Sequence, residues 1–340
     1  DVFIAKVSAE NPDLIEYKAL SVEKVYFGNV DSTDSFFDSF RNSYTEFDRW
    51  FARKCDEEAY ICRSDSNKIL GFLYLKTEDV SENYSDIEPP FSPKRRLKVG
   101  TFKVESTGFR LGERFVKIIF DNAQQRNVDE IYVTLFTDRG ELVALEELLY
   151  RWGFVYYGIK HNGGKEEKVL VKFLHKIIDN GTPKLNYPNI SHLCNKFILP
   201  IMPQYHTTLL PDSQLNSENR IDFLGREPHR YALQKVYISW ASTNGAKPGD
   251  LILFYRMGLP GENKKYKSVV STIAIVDEII ENIGSEENLL SLCQNRSVFS
   301  VDELKEFWRK HRYNLKILNF IFVKSLSKRL TLGYLWEHNI

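Results

Sequence analysis

Residues 97 to 112 read LKVGTFKVESTGFRLG: a strand-like run, a turn carrying Gly108 and Gly112, and then the amphipathic segment ERFVKIIFDNA. Strand, turn and helix in that order make a phosphate cradle. The first amides of a helix have no partner within it, and the helix dipole places partial positive charge at that end. A pyrophosphate can be held there without dedicated cationic side chains. An ordinary strand-to-helix connection looks the same in sequence, so the surrounding elements decide what the turn does.

Between Asp34 and Cys55 the aromatics Phe36, Phe37, Phe40, Tyr44, Phe47 and Phe51 recur near a helical period. This predicts a helix pair or one long helix, capped from DSTDS at 31–35. EAYICRSDSNKILGFLYLKTE reads as a hairpin turning at Ser64 to Asn67. The loop after it, SENYSDIEPPFSPKRR, is rich in turn formers and is expected to be a substrate-side lid. A helix ending near Arg126, the strand DEIYVTLF, the helix ELVALEELLYRWGF and strands at VYYG and KVLVKFL complete the first half. That order implies an α/β or α+β sheet with helices on its faces.

The polar stretch IIDNGTPKLNYPNI at 177–190 predicts a linker between a domain at 1–176 and another at 191–340. The second half is β-rich: HRYALQKVYISWA, LILFYRMG, KSVVSTIAIVDEII and LKILNFIFV, with the turn NGAKPGD among them. Val301 to His311 predicts a helix, because Ser300 and Glu303 have the spacing of a capping box. A small β-barrel carrying a few helices is the economical reading.

A chain of 340 residues can bury two cores. With 46 basic and 46 acidic residues it is not built mainly to bind polyanions or membrane surfaces. Residues 190–340, with 19 Lys+Arg against 15 Asp+Glu, are mildly basic. Cys55, Cys62, Cys194 and Cys293 form no CxxC, and His161, His175, His192, His206, His229, His311 and His338 add no metal-ligand spacing. A reduced, cytoplasmic compartment and no metal are expected. No apolar run reaches the roughly 20 residues of a membrane span, and no signal-peptide pattern is present. The chain begins at Asp1 without an initiator Met, as a fragment or processed product would. No GxSxG motif supports a hydrolase.

At this point the first half, about residues 10 to 175, resembles the GNAT superfamily of acyl-CoA-dependent N-acetyltransferases. In that family a central strand enters a loop of the form Arg/Gln-x-x-Gly-x-Gly/Ala, whose amides hold the pyrophosphate of the acyl-CoA. Here the loop is Thr107, Gly108, Phe109, Arg110, Leu111, Gly112, with Val104 before it and Glu113 after it. The last Gly is kept, whereas Thr107 stands for Arg/Gln and Arg110 for the first Gly. The resemblance implies that these eight residues bind acetyl-CoA. LLYRWGF at 148–154 approximates the family's Leu-Tyr-x-x-x-Gly-Phe pattern, with Tyr150 three residues before Gly153 instead of four. One residue turns a helical side chain by about 100°. The implied chemistry is attack of a neutral amine on the acetyl thioester. Glu105 is the base candidate, Glu78 a second, and Tyr150 the candidate acid toward the departing thiolate.

The second half resembles PUA-like domains of the ASCH and EVE type, through AKPGDLILFYRMG at 246–258 and SVVSTIAIVDEI at 268–279. The resemblance implies a cleft for RNA or a modified base, lined by Tyr205, His206, Trp240, Ser242, Tyr255 and Arg256. Two functions are expected from the whole: an acetyl-CoA-dependent N-acetyltransferase with a PUA-like acceptor-selecting domain, or a non-catalytic nucleic-acid-binding or sensing protein that uses a degenerate GNAT domain as scaffold or CoA sensor.

Overall fold

The computed structural model describes residues 22–64, 66–105, 110–136, 142–176, 182–191, 193–215, 218, 228–230, 232–241 and 245–339. The chain divides into two compact units, Asp1–Lys176 and Ile177–Ile340.

In the first unit β1 (Val22–Tyr26), β2 (Glu58–Arg63), β3 (Ile69–Glu78), β4 (Ile87–Glu88), β5 (Arg96–Val104), β6 (Glu130–Phe136), β7 (Val155–Asn162) and β8 (Lys165–Phe173) form one sheet. Their order is β1-β2-β3-β5-β6-β8-β7-β4. Every neighbouring pair is antiparallel except β5 and β6. A parallel pair needs a crossover. Among the described residues four helices flank the sheet: α1 (Asp38–Ser43), α2 (Phe47–Ala52), α3 (Leu111–Gln125), which is that crossover, and α4 (Val143–Arg151).

The aromatic run at 34–55 becomes two short helices, preceded by a single turn at Ser35–Phe37 that Asp34 caps through the Phe36 amide. Phe27, Phe37 and Phe51 pack against Phe72 of β3 on one face of the sheet. On the other face, Phe115 of α3 packs on Phe102 of β5. Helix α3 buries Leu111, Phe115, Val116, Ile119, Phe120 and Ala123, the stripe its periodicity requires. The expected lid is tied down instead. Tyr84, Ile87 and Phe91 are buried with Tyr132, Val169 and Val171, and Ile87 and Glu88 pair with β7.

The second unit carries α5 (Pro183–Asn186), β9 (Lys196–Ile201), α6 (Pro203–Leu209), β10 (Gln234–Ser239), β11 (Leu251–Arg256), α7 (Lys264–Lys267), β12 (Val269–Ile280), α8 (Glu286–Cys293), α9 (Val301–His311), β13 (Lys316–Thr331) and α10 (Leu332–Glu337). Its strands form a curled half-barrel sheet in the order β10-β13-β12-β11-β9. Strands β9 and β10 lie at its edges, so of the expected small barrel the described residues show a half-barrel. Helices α8 and α9 pack on it through Leu289, Cys293 and Leu304 against Val236, Ile238 and Ile317. The capping box at Ser300 and Glu303 is formed. Part of the expected linker is structured in this unit: Pro183 and Tyr187 are buried, and Lys184 Nζ donates to Gln234 Oε1 at 3.0 Å.

Candidate functional site

Strands β5 and β6 pair only from Arg96 with Glu130 to Val99 with Val133. The next residue, Gly100, is a bulge: Tyr74 of β3 faces Thr101 while Leu75 faces Val99. A Cβ at Gly100 would lie 2.7 Å from Tyr74 Cδ1, so glycine is needed for the bulge to close against that ring. Bulges bend and re-aim a strand. Beyond it, Thr101 to Val104 pair with β3 alone, and Thr134 to Phe136 with β8 alone. The sheet opens along its middle. Among the described residues no third strand fills that gap, and backbone groups facing it take partners other than a strand.

Strand β5 leads from the gap toward α3. Arg110 stands just before that helix in the left-handed region, φ 56° and ψ 19°, and makes no side-chain cap. The amides of Leu111, Gly112 and Glu113 are the first of the helix, the position whose N–H groups have no partner within the helix itself. Glu113 is buried in this first turn, with Arg110 NH1 3.5 Å from its Oε1. Gly112 is explained by packing: a Cβ there would lie 2.8 Å from Leu148 Cδ2 on α4. Val104 is half-buried at the end of β5, and Thr107, Gly108 and Phe109 lie outside the described residues.

The candidate bases differ in how fully they are occupied. Glu105 has Lys103 at 2.9 Å and Lys68 at 3.8 Å, so its carboxylate is already paired. Glu78 is buried beneath Tyr132 and Tyr84, whose hydroxyls donate at 2.7 and 3.1 Å, with Lys76 at 3.1 Å and Lys98 at 3.7 Å. Burial raises its pKa, but Tyr132, Lys98 and Lys76 together outweigh burial and hold the carboxyl below its ordinary range. The Glu78 carboxylate is therefore not poised to accept a proton. Tyr150 is 37% exposed and donates to Glu146 Oε1 at 2.8 Å, while Leu149 takes the buried position. Burial, and then that bond to Glu146, push the Tyr150 phenol up to about 12, which makes it a reluctant acid.

Sequence reasoning passed over Glu167. It faces Phe136 across β6 and β8, and it is 2% exposed. Tyr44 Oη donates to its Oε1 at 3.3 Å and Asn162 Nδ2 to the same oxygen at 3.1 Å. The signal was present in KEEKVLVKF: alternation places Glu167 on the face of Val169 and Val171, a carboxylate at the end of an apolar row.

In the second unit the candidate lining residues are not brought together at an open surface. His206 is fully buried, with Nε2 2.7 Å from Ser271 Oγ and Nδ1 3.1 Å from Thr207 Oγ1. Arg256 is buried and pairs with Glu218 at 3.2 Å. Tyr205 packs on Phe299, and Tyr255 is half-buried in β11. Of the described candidates only Trp240 is exposed, at 46%, stacked on His311 with 4.3 Å between ring centroids. Ser242 lies outside the described residues. Among the described residues no three His, Cys, Asp or Glu side chains are grouped to hold a metal, and no helix is long and apolar enough to cross a membrane.

No protein-family model and no curated protein sequence matches the chain. Solved structures similar to its N-terminal part include the NatC complex bound to Gag peptide and CoA, at 17% identity over 45% of this chain and 99% of that one, with a TM-score of 0.31. Another is an IAA acetyltransferase from Bacillus cereus, at 12% identity over 46% of this chain and 100% of that one, TM-score 0.33. A third is an N-acetyltransferase from Staphylococcus aureus, at 11% identity over 45% and 97%, TM-score 0.34.

Proposed function

We propose that the first unit binds acetyl-CoA and transfers its acetyl group to an amine. The observation that carries this reading is the gap between β5 and β6, opened by the Gly100 bulge on the strand that runs toward the N-terminal end of α3. The helix end suits a pyrophosphate. The gap suits an extended chain with amide groups, because strand edges offer donors and acceptors at regular spacing. A thioester carbonyl in the gap would meet backbone N–H groups that stabilise negative charge as the amine adds. Val104, Leu111, Gly112 and Glu113, with the loop from Thr107 to Arg110, are the residues we assign to this ligand.

In this reading the second unit, as a PUA-like module, docks the acceptor, and an RNA-linked amine is the acceptor class it would suit. RNA affinity that is absent, or that does not weaken with added salt, counts against that part.

Acetyl-CoA is expected to raise the melting temperature of the full chain, since a ligand that binds only the native state stabilises it, by about 2.7 kcal/mol at a hundredfold excess over Kd. No shift at saturating acetyl-CoA, with calorimetry also blank, removes the proposal. The engaged states of Glu105 and Tyr150 favour a second reading, a CoA-binding scaffold. Binding without thiol release for amine, protein and RNA pools selects it.

A further inference from the structure

We infer that Glu167 is the base that takes the proton from a cationic amine acceptor; the inference rests on the acetyl-transfer reading above. Buried carboxylates are normally paired with a cation, because stripping water from an unpaired charge costs several kcal/mol. Glu78, Glu113 and Glu130 obey this, each with a lysine or arginine against it. Glu167 does not. Its partners among the described residues are the neutral Tyr44 and Asn162, both on Oε1, and Lys165 beside it is turned to the Ser43 carbonyl at 2.9 Å.

Its place in the sheet gives that vacancy a use. Glu167 faces Phe136, on the stretch of β6 that has lost β5 as a neighbour. Directly opposed residues share a face. On this face Tyr44, from the connection between α1 and α2, lays its ring 5.1 Å from that of Phe136 and reaches Glu167 with its hydroxyl. Helix α3 lies on the opposite face, where Phe115 meets Phe102. A ligand held at α3 and threaded through the gap would therefore present its thioester toward the face that carries Glu167. An ammonium arriving there meets a carboxylate with no ion pair among the described residues, beside the Phe136 ring, over which the Lys165 ammonium already lies 5.8 Å from the centroid while donating to Ser43.

The step balances. A proton passes from R–NH3+ to the Glu167 carboxylate, and the freed nitrogen lone pair attacks the thioester carbonyl carbon. The C–S bond breaks, the sulfur takes the remaining surplus proton from nitrogen, and the products are the amide and free thiol. The Glu167 carboxyl then returns its proton to solvent.

The test uses the full chain, Glu167→Gln and Tyr44→Phe, with n-butylammonium as a charged acceptor and aniline as one already neutral at pH 7. A Gln at 167 keeps an oxygen for Tyr44 and Asn162, so the fold and the stabilisation by acetyl-CoA should persist. Thiol release with n-butylammonium should fall on the order of a hundredfold or more, the usual contribution of a positioned base. With aniline the ratio of wild type to variant should stay within about threefold, and Tyr44→Phe should cost less than tenfold because the carboxylate remains. Equal losses on both acceptors, or turnover of Glu167→Gln close to wild type, overturn the assignment. Should the wild type bind acetyl-CoA and release no thiol, n-butylammonium must still raise the melting temperature of the CoA complex in the wild type and not in Glu167→Gln; absence of that difference overturns it as well. Failure of the wild type to bind acetyl-CoA is a distinct result and removes the acetyl-transfer reading itself.

Discussion

Polar groups enter both sheets of this chain, but on opposite terms. In the first unit the Gly100 bulge leaves Thr101 to Val104 paired with β3 alone, and the carboxylate of Glu167 has no ion pair among the described residues. In the second, His206, Thr207, Ser213, Ser271 and Thr272 are all fully buried and bond one another, from His206 to Ser271 at 2.7 Å and onward through Thr272 to Ser213 at 2.6 Å. Thr207 adds a bond to Glu218 Oε2 at 2.6 Å. Buried polarity is thus no guide to function by itself. Whether the polar atoms are spent on each other or left facing a gap is the informative difference. A closed network should therefore carry stability and an open junction activity, and substitutions can separate the two.

The largest effect is expected for His206→Ala. It opens a cavity and takes one partner each from the buried Ser271 and Thr207 hydroxyls, costs that together come to about 3–5 kcal/mol. Hydrogen exchange of β11 and β12 should accelerate accordingly, while stabilisation by acetyl-CoA stays unchanged. Slow exchange retained in the variant would mean that the network adds nothing to the core.

Acid should distinguish the regions next. Burial, then the charges of Arg256 and Arg329, push the His206 imidazole down to about 3, and burial with Lys235 and Arg230 does the same for His229. The unfolded chain takes up these protons near pH 6.5, which the native state refuses. Stability of the second unit is therefore full above about pH 6.5 and declines as pH falls toward 3, by roughly 3–5 kcal/mol for His206 alone. Denaturation at pH 7 and pH 4 should show the decline, and His206→Gln should reduce it to the part that His229 contributes. An equal pH slope in that variant speaks against the buried neutral imidazole.

A smaller loss is expected in the first unit. Tyr132→Phe removes the 2.7 Å bond to Glu78 and should cost about 1.5–3 kcal/mol, the range for bonds to a charged group. Glu78 is held below its ordinary range, so its contribution is present above the ordinary carboxyl pKa and is lost as pH falls through the lowered native value. Wild type and Tyr132→Phe should converge at acid pH. A constant difference between them at every pH would assign the loss to packing.

How much of this was written in the sequence depends on the range of the forces involved. Local signals were legible: the β2–β3 hairpin, the stripe of α3, and the Ser300 box obey nearest-neighbour rules of turn, period and cap. Tyr150 could be doubted because a helical shift of one residue is a local fact. What stayed hidden depends on partners far along the chain. Tyr44 and Glu167 are 123 residues apart, and Glu105 looked like an available base until Lys68 and Lys103 were seen around it. His206 and Arg256 read as cleft residues because a polar side chain near aromatics suggests a surface. Their burial is set by Ser271 and Glu218, 65 and 38 positions away in sequence.

The smallest predicted effect sharpens the open junction itself. Arg110 occupies a left-handed conformation at which a side chain costs about 1–2 kcal/mol. Glycine removes that strain but gains about 0.4–1 kcal/mol of freedom in the unfolded chain. Arg110 also lies 3.5 Å from the buried Glu113 carboxylate, and losing that charge offsets the relief of strain, so Arg110→Gly should leave the stability of the first unit within about 1 kcal/mol of the wild type. Arg110→Ala makes the same loss of charge and keeps the strain. If Arg110 serves the pyrophosphate through its charge, both variants weaken acetyl-CoA binding equally in calorimetry. If the turn's backbone does the holding, Arg110→Gly keeps the wild-type Kd, and only Arg110→Ala departs from it, because alanine must hold the left-handed turn without the guanidinium's contacts.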